Sequence, residues 1–203
     1  MIGIVDYNMG NLASVKNAFS RLGEEVVVES DPSKLKEYDK LILPGVGAFG
    51  DAMEHLQVRG MDEAVKEYAA SGKYMLGICL GMQLLFDSSE EFGSNQGLGL
   101  IPGKIIGFDT SKFSHELKVP HMGWNRMFTQ EHALFDGMDS EHYLYFVHSF
   151  HAVCENEKNS LAETEYGYRF SSAVHNGNIL GIQPHPEKSH KNGLAILKNF
   201  INL

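Results

Sequence analysis

Two cysteines in 203 residues, Cys79 and Cys154, are too few for a disulfide scaffold, and no apolar run approaches the length of a membrane span. Basic residues are also scarce: 17 Lys and Arg against 26 Asp and Glu leave a net charge of -9, with no run of Lys or Arg. That balance makes nucleic acid and anionic membranes poor partners. The opening residues 1–5 meet Asp6 without a basic leader, so neither a signal peptide nor an anchor is expected. The chain reads as cytoplasmic, with both thiols free. A hydrophobic fraction of 43% and a charged fraction of 21% describe an ordinary soluble globule. With no repeat, low-complexity tract or linker, one domain is expected over residues 1–203.

Short apolar runs alternate with helical patterns through the first half, as in a parallel sheet with crossover helices. Residues 2–5, 25–28, 40–43 and 74–78 are the expected strands. Leu12, Val15, Ala18, Phe19 and Leu22 mark one helical face before Gly23, and Met53, Leu56, Met61, Ala64, Val65 and Tyr68 mark a helical region bent near Gly60. The second half reads as strands over 104–108, 143–147, 161–166, 170–175 and 179–183, with a turn at Asn176, Gly177 and Asn178. A last helix carries Leu194, Leu197, Phe200 and Ile201. The expected fold is α/β: a mostly parallel sheet flanked by helices, with antiparallel additions toward the C-terminus.

Gly77-Ile78-Cys79-Leu80-Gly81 lies between an apolar strand and a helical pattern over 82–86, the context of a nucleophile elbow. Its glycines leave room for a sharp strand-to-helix turn with the nucleophile in strained backbone geometry. The helix after the turn favours thiolate and offers N–H groups to an oxyanion. By itself such a stretch fits a buried cysteine in a glycine-rich turn equally well.

Near the C-terminus, His185 stands between Pro184 and Pro186, so it cannot lie inside a helix and belongs on a rigid loop after the 179–183 strand. Glu187, two residues on, projects to the same side if the segment is extended, where it accepts the imidazole's other N–H. Nucleophile, base and orienter are the minimum set for acyl transfer from an amide. A histidine that merely stiffens a turn is the alternative for these residues. His148 and His151 form H-x-x-H without a further ligand, so neither a metal site nor a cofactor is expected.

Residues 44–50, Pro-Gly-Val-Gly-Ala-Phe-Gly, follow a strand but lack both the Lys-Ser/Thr ending of a P-loop and dinucleotide spacing. An oxyanion role suits them better, with N–H groups from Val46 and Gly47 joined by that of Leu80.

These segments, in this order, resemble the triad (class I) glutamine amidotransferases, whose fold is flavodoxin-like. The wider chain is similar to the branch formed by the glutaminase subunits of imidazole glycerol phosphate synthase. The matching stretches are 6–12, 44–50, 77–83, 120–125, 145–149 and 183–189, so the likeness runs nearly end to end. It implies glutamine hydrolysis, with Gln83 and Glu91 contacting glutamine and the backbone at Ser149 and Phe150 completing the pocket. It also implies a heterodimer with a (β/α)8-barrel cyclase of histidine biosynthesis, which receives the ammonia across a face holding Asn11, Trp124, Tyr145 and Lys188. Pro184 departs from the family, which commonly has an aromatic residue there. Ammonia delivery to another synthase, such as one amidating a surface sugar, a hydrolase of γ-glutamyl peptides, and a noncatalytic binding module are the other readings.

Overall fold

Strands and helices alternate through the first half of the chain in the computed structural model, which describes residues 1–139 and 141–203. β1 (Ile2–Val5), α1 (Leu12–Arg21), β2 (Val26–Glu29), β3 (Lys40–Leu43), α2 (Phe49–Val58), α3 (Met61–Ala70) and β4 (Tyr74–Ile78) follow in turn. A single turn, α4 (Leu80–Gln83), then gives way to β5 (Phe86–Ser89), β6 (Asn95–Gln96), β7 (Ile101–Gly107), β8 (His121–Thr129), β9 (Glu141–His148) and β10 (Phe150–Cys154). β11 (Ser160–Tyr166), β12 (Tyr168–Asn176), β13 (Ile179–Ile182) and the terminal helix α5 (His190–Asn202) complete the chain.

Among the described residues, thirteen strands join one hydrogen-bonded sheet. Its parallel part runs β2-β1-β3-β4-β13, the doubly wound order in which ligands bind beyond the carboxyl ends of the strands. From β13 the sheet continues antiparallel through β12 and β10 to β7, while β11, β8 and β9 branch from β12 in that order, each antiparallel to the last.

Alternation along the parallel strands divides the core in two. Leu41, Leu43 and Met75 face α2 and α3, whose Phe49, Ala52, Leu56, Met61 and Val65 are buried there. Ile42, Leu76 and Ile78 face Val15 and Phe19 of α1 and Ile196, Leu197 and Phe200 of α5. The expected bend near Gly60 is a full break: Gly60 takes φ 68° and ends one helix before the next begins. The helical pattern expected over 82–86 is a correction. Helix stops at Gln83, and Phe86 starts β5: the side chains of Leu84, Leu85 and Phe86 are all wholly buried, and a short apolar run does not by itself choose between helix and strand. β5, β6, β8 and β10 lie outside the strands expected from sequence. Among the described residues no helix is long and apolar enough to cross a membrane.

Behind the carboxyl edge lies a packed group of rings. His121 stacks between Phe146 and Tyr166, at centroid distances of 4.8 and 4.1 Å, and its Nδ1 is 2.9 Å from His148 Nε2. Burial holds both imidazoles neutral, with His121 lowered to about 4 and His148 to about 3 from their ordinary 6.5. The unfolded chain therefore takes up protons at 6.5 that the folded chain refuses until pH 4 or below, so stability is lost as pH falls through that window. Urea titrations from pH 7 to 4 are expected to show a falling midpoint. His121→Phe, which keeps the ring stack, flattens part of that fall; an unchanged slope contradicts the assignment.

Candidate functional site

Register sets the site. Leu43 pairs with Gly77 and Ile78 with Ile182, so β3, β4 and β13 end side by side. Their continuations are the 44–50 loop, Cys79 and the segment leading to His185, three stretches 35 to more than 100 residues apart in sequence and now on one rim.

Cys79 takes φ 54° and ψ -113°, a strained conformation for a residue with a β-carbon, and its N–H donates to the Ile182 carbonyl at 2.8 Å. The flanking glycines permit this. A β-carbon on Gly77 would stand 2.7 Å from the Gly81 oxygen, and one on Gly81 would stand 1.8 Å from the Leu43 oxygen. The thiol is 7% exposed, with the Val147 carbonyl at 4.0 Å and Gln183 Nε2 at 3.8 Å. Because α4 is only four residues long, the thiol meets the N–H groups of one turn rather than the end of a long helix. Cys154 is a free thiol like Cys79, and lies away from this rim on β10.

His185 follows β13 and is 3% exposed, with its N–H held by the Tyr145 carbonyl at 2.9 Å. Its Nδ1 lies 2.7 Å from Glu187 Oε1, which leaves Nε2 as the ring's other nitrogen. Glu187 is not on an extended segment as expected. It sits in the single 3-10 turn Pro186–Lys188, where Pro186 supplies the helical φ, and this turn still folds the carboxylate back onto the ring two residues earlier. Burial alone would lower the His185 pKa. Hydrogen bonding to Cys79 and Glu187 and their negative charge outweigh it, pushing the imidazole up to about 10. Glu187 Oε2 is buried without a partner, so the carboxylate's bonding is concentrated on His185.

The glycine loop is anchored from below. Tyr7, 1% exposed, donates its hydroxyl to the Pro44 carbonyl at 2.8 Å, and burial, then the charge of Cys79, raise its pKa so that it stays a donor. Val46 and Gly47 are exposed above it, Gly47 at φ 100°, and Leu80 is buried beside Gly45. The Glu91 carboxylate accepts from the Phe49 N–H at 2.8 Å, closing the N-terminus of α2, and burial raises its pKa. Gln83 gives one amide hydrogen to the Phe150 carbonyl at 3.1 Å and the other to Gln183 Oε1 at 3.0 Å. The Ser149 carbonyl accepts from the Phe108 N–H at 3.2 Å, so both carbonyls of the expected pocket wall are bonded within the chain.

Asn11, Trp124, Tyr145 and Lys188 fall into two adjoining groups. Trp124, 47% exposed, stacks flat on His190 with centroids 5.2 Å apart and meets Tyr145 edge-on, while the Lys188 ammonium lies 6.0 Å from the Tyr145 ring centre. Asn11 caps α1, which packs against the 186–188 turn. A cleft of about 470 Å³ lined by Met122, Trp124, Asn125 and Tyr166 opens on this β8 face, not over Cys79. Among the described residues no three His, Cys, Asp or Glu are grouped to hold a metal ion; His148 and His151 bond instead to His121 and to the Tyr168 hydroxyl. Two residues at the rim were not singled out by sequence, Tyr7 and Gln183. Each sits inside a stretch that carried the resemblance, but its signal is burial, which one sequence does not display.

Comparison with known proteins gives the family. The model of "Glutamine amidotransferase class-I" matches residues 3–203. The chain is 73% identical over 200 residues to "Imidazole glycerol phosphate synthase subunit HisH" of Sulfurimonas denitrificans, covering 98% of this chain and 97% of that one. The subunit of the same name from Wolinella succinogenes is 57% identical over 204 residues, covering all of both chains. Among solved structures, "Structure of PurLQS from Thermotoga maritima" superposes with a TM-score of 0.78 at 21% identity, over 99% of this chain and 97% of that one, a likeness of fold. The chain belongs to the class-I glutamine amidotransferase family, and within it to the branch formed by the HisH subunits of imidazole glycerol phosphate synthase.

Proposed function

We propose that this chain is the glutaminase subunit of an imidazole glycerol phosphate synthase, hydrolysing glutamine with Cys79, His185 and Glu187 and passing ammonia to a (β/α)8-barrel cyclase in a cytoplasmic heterodimer. The observation that carries it is the His185 ring held by Glu187 at 2.7 Å on the strand continuation that pairs with that of Cys79, at the carboxyl edge of the parallel sheet.

In this reading the Cys79 thiolate attacks the side-chain carbonyl carbon of glutamine. Charge gathers on the former carbonyl oxygen, which N–H groups of Val46, Gly47 and Leu80 receive, one such donor contributing about 3 to 4 kcal/mol. As the carbon–nitrogen bond breaks, imidazolium His185 gives its proton to the departing ammonia, leaving a glutamyl thioester. His185, now neutral, takes a proton from water, whose oxygen attacks the thioester, and glutamate leaves. An imidazole raised to about 10 is charged at neutral pH, which suits its first role as acid. Glu187 keeps the ring in the tautomer that points Nε2 at the reaction. Gln83 and Glu91 hold the substrate.

Cys79 is 7% exposed, so the buried thiol is consistent with low activity until a partner opens the rim. Trp124, Tyr145, Lys188 and Asn11 suit the docking face, since a half-exposed tryptophan in a flat stack is a ready anchor. The high identity to HisH subunits favours the histidine-pathway cyclase over a surface-sugar synthase.

Cys79→Ala is expected to abolish glutamine-dependent synthesis by the complex while sparing synthesis from added ammonia. Retained glutaminase activity in that variant would mean another nucleophile. Trp124→Ala is expected to weaken binding of the cyclase by roughly 30-fold, the effect of losing about 2 kcal/mol at a hot spot. Titration calorimetry reads this directly, and unchanged affinity would place the interface elsewhere.

A further inference from the structure

Gln183 is wholly buried, and its amide lies between two groups of the candidate site: Oε1 is 3.0 Å from Gln83 Nε2, and Nε2 is 3.8 Å from Cys79 Sγ. Amide oxygen and nitrogen look alike, so their assignment has to follow from the partners. Here one partner settles it. A backbone carbonyl only accepts, so the Gln83 atom 3.1 Å from the Phe150 oxygen is the nitrogen. That nitrogen's second hydrogen faces Gln183, which must answer with oxygen and so turns its own N–H toward the sulfur. Reversing Gln83 would set oxygen against oxygen at two contacts, and reversing Gln183 would set nitrogen against nitrogen at one. The Phe150 carbonyl is itself fixed by a second donor, His148 Nδ1 at 2.8 Å, and the Gln183 backbone N–H is fixed to the Ser172 carbonyl at 2.8 Å.

We infer that Gln183 is a positioning residue for the attack on glutamine, its amide locked by the Phe150–Gln83 polarity so that it always presents a donor to the Cys79 sulfur. The inference rests on the reading of Cys79 as nucleophile. Its physical content is a contest between two neighbours of the sulfur: the Val147 carbonyl at 4.0 Å favours S–H, and the Gln183 N–H favours bare S⁻. The same lock has a second effect. With both hydrogens of Gln83 spent, its side chain offers a ligand only an oxygen, which accepts from an N–H of glutamine and repels the carboxylate of product glutamate.

The test is the pH profile of Cys79 alkylation by iodoacetamide, with matched Cys79→Ala proteins subtracting any reaction at Cys154. Gln183→Met keeps the bulk and removes the donor, and the midpoint is expected to rise by about one pH unit. In Gln183→Glu one oxygen still accepts from Gln83 and the other faces the sulfur, so the midpoint rises further. A residue that only filled space would leave the midpoint unmoved, and coincident profiles in folded variants would overturn the inference. Should neither variant fold, neutron diffraction from the native protein decides: deuterium on Gln183 directed at Sγ supports the lock, and oxygen directed there overturns it. Failure of the underlying reading looks different, since Cys79→Ala would then retain glutaminase activity whatever Gln183 does.

Discussion

A β-carbon on Gly81 would stand 1.8 Å from the Leu43 carbonyl oxygen, and no side chain fits that gap. This contact joins the turn after β4 to the end of β3. It sets the backbone of Leu80 beside the 44–50 loop. Gly77 meets Gly81 from the other side, and Cys79, held between them at φ 54°, has its side chain forced out of the strand's ordinary alternation. β13 completes the frame: its Ile182 carbonyl takes the Cys79 N–H, and the next residues carry Gln183 and His185 over the sulfur. Closeness of backbones, rather than attraction between side chains, makes the rim.

On that frame the polar groups are arranged with few alternatives. His185 is bonded through its N–H, its carbonyl and Nδ1, to Tyr145, Ser189 and Glu187. Tyr145 in turn lies under Trp124 and beside Lys188, on the face proposed to meet the cyclase. A short bonded path thus links that face to the proposed base, since the Tyr145 N–H is held by the Ser189 hydroxyl and the Tyr145 carbonyl holds His185. Docking that shifts β9 would move His185 with it.

Much of this was legible in the sequence where chemistry needs unusual residues. Glycines two residues either side of Cys79 have few uses other than a tight turn, and a histidine between prolines has few places to lie. The first four parallel strands and the core face of α1 followed from periodicity, whereas β13, grouped in sequence with the antiparallel additions, runs parallel to β4, and Ile196 joins Leu197 and Phe200 in the buried face of α5. Elements with weak local signals were not legible: β8 opens with His121 and carries an exposed tryptophan, and β5 follows a single helical turn without a glycine or proline to mark the change. Glu187 shows the limit most clearly. Spacing gave the right pair by the wrong geometry: His185 keeps extended backbone, and the 3-10 turn that starts at Pro186 brings the Glu187 carboxylate back to its ring. Gln183 and Tyr7 carry their meaning in burial and in the polarity of neighbours, which exist only after folding.

The central claim is that the sulfur of Cys79 becomes covalently bonded to the glutamyl group during turnover. Acid quenching of the enzyme while it turns over glutamine, followed by mass spectrometry of the intact chain and its peptides, tests this most directly. The account predicts a fraction of the protein heavier by one glutamyl group, mapped to the peptide containing Cys79 and absent when Cys79 is replaced by alanine. Steady release of glutamate with no adduct at any stage of the time course, or an adduct on another peptide, would contradict it.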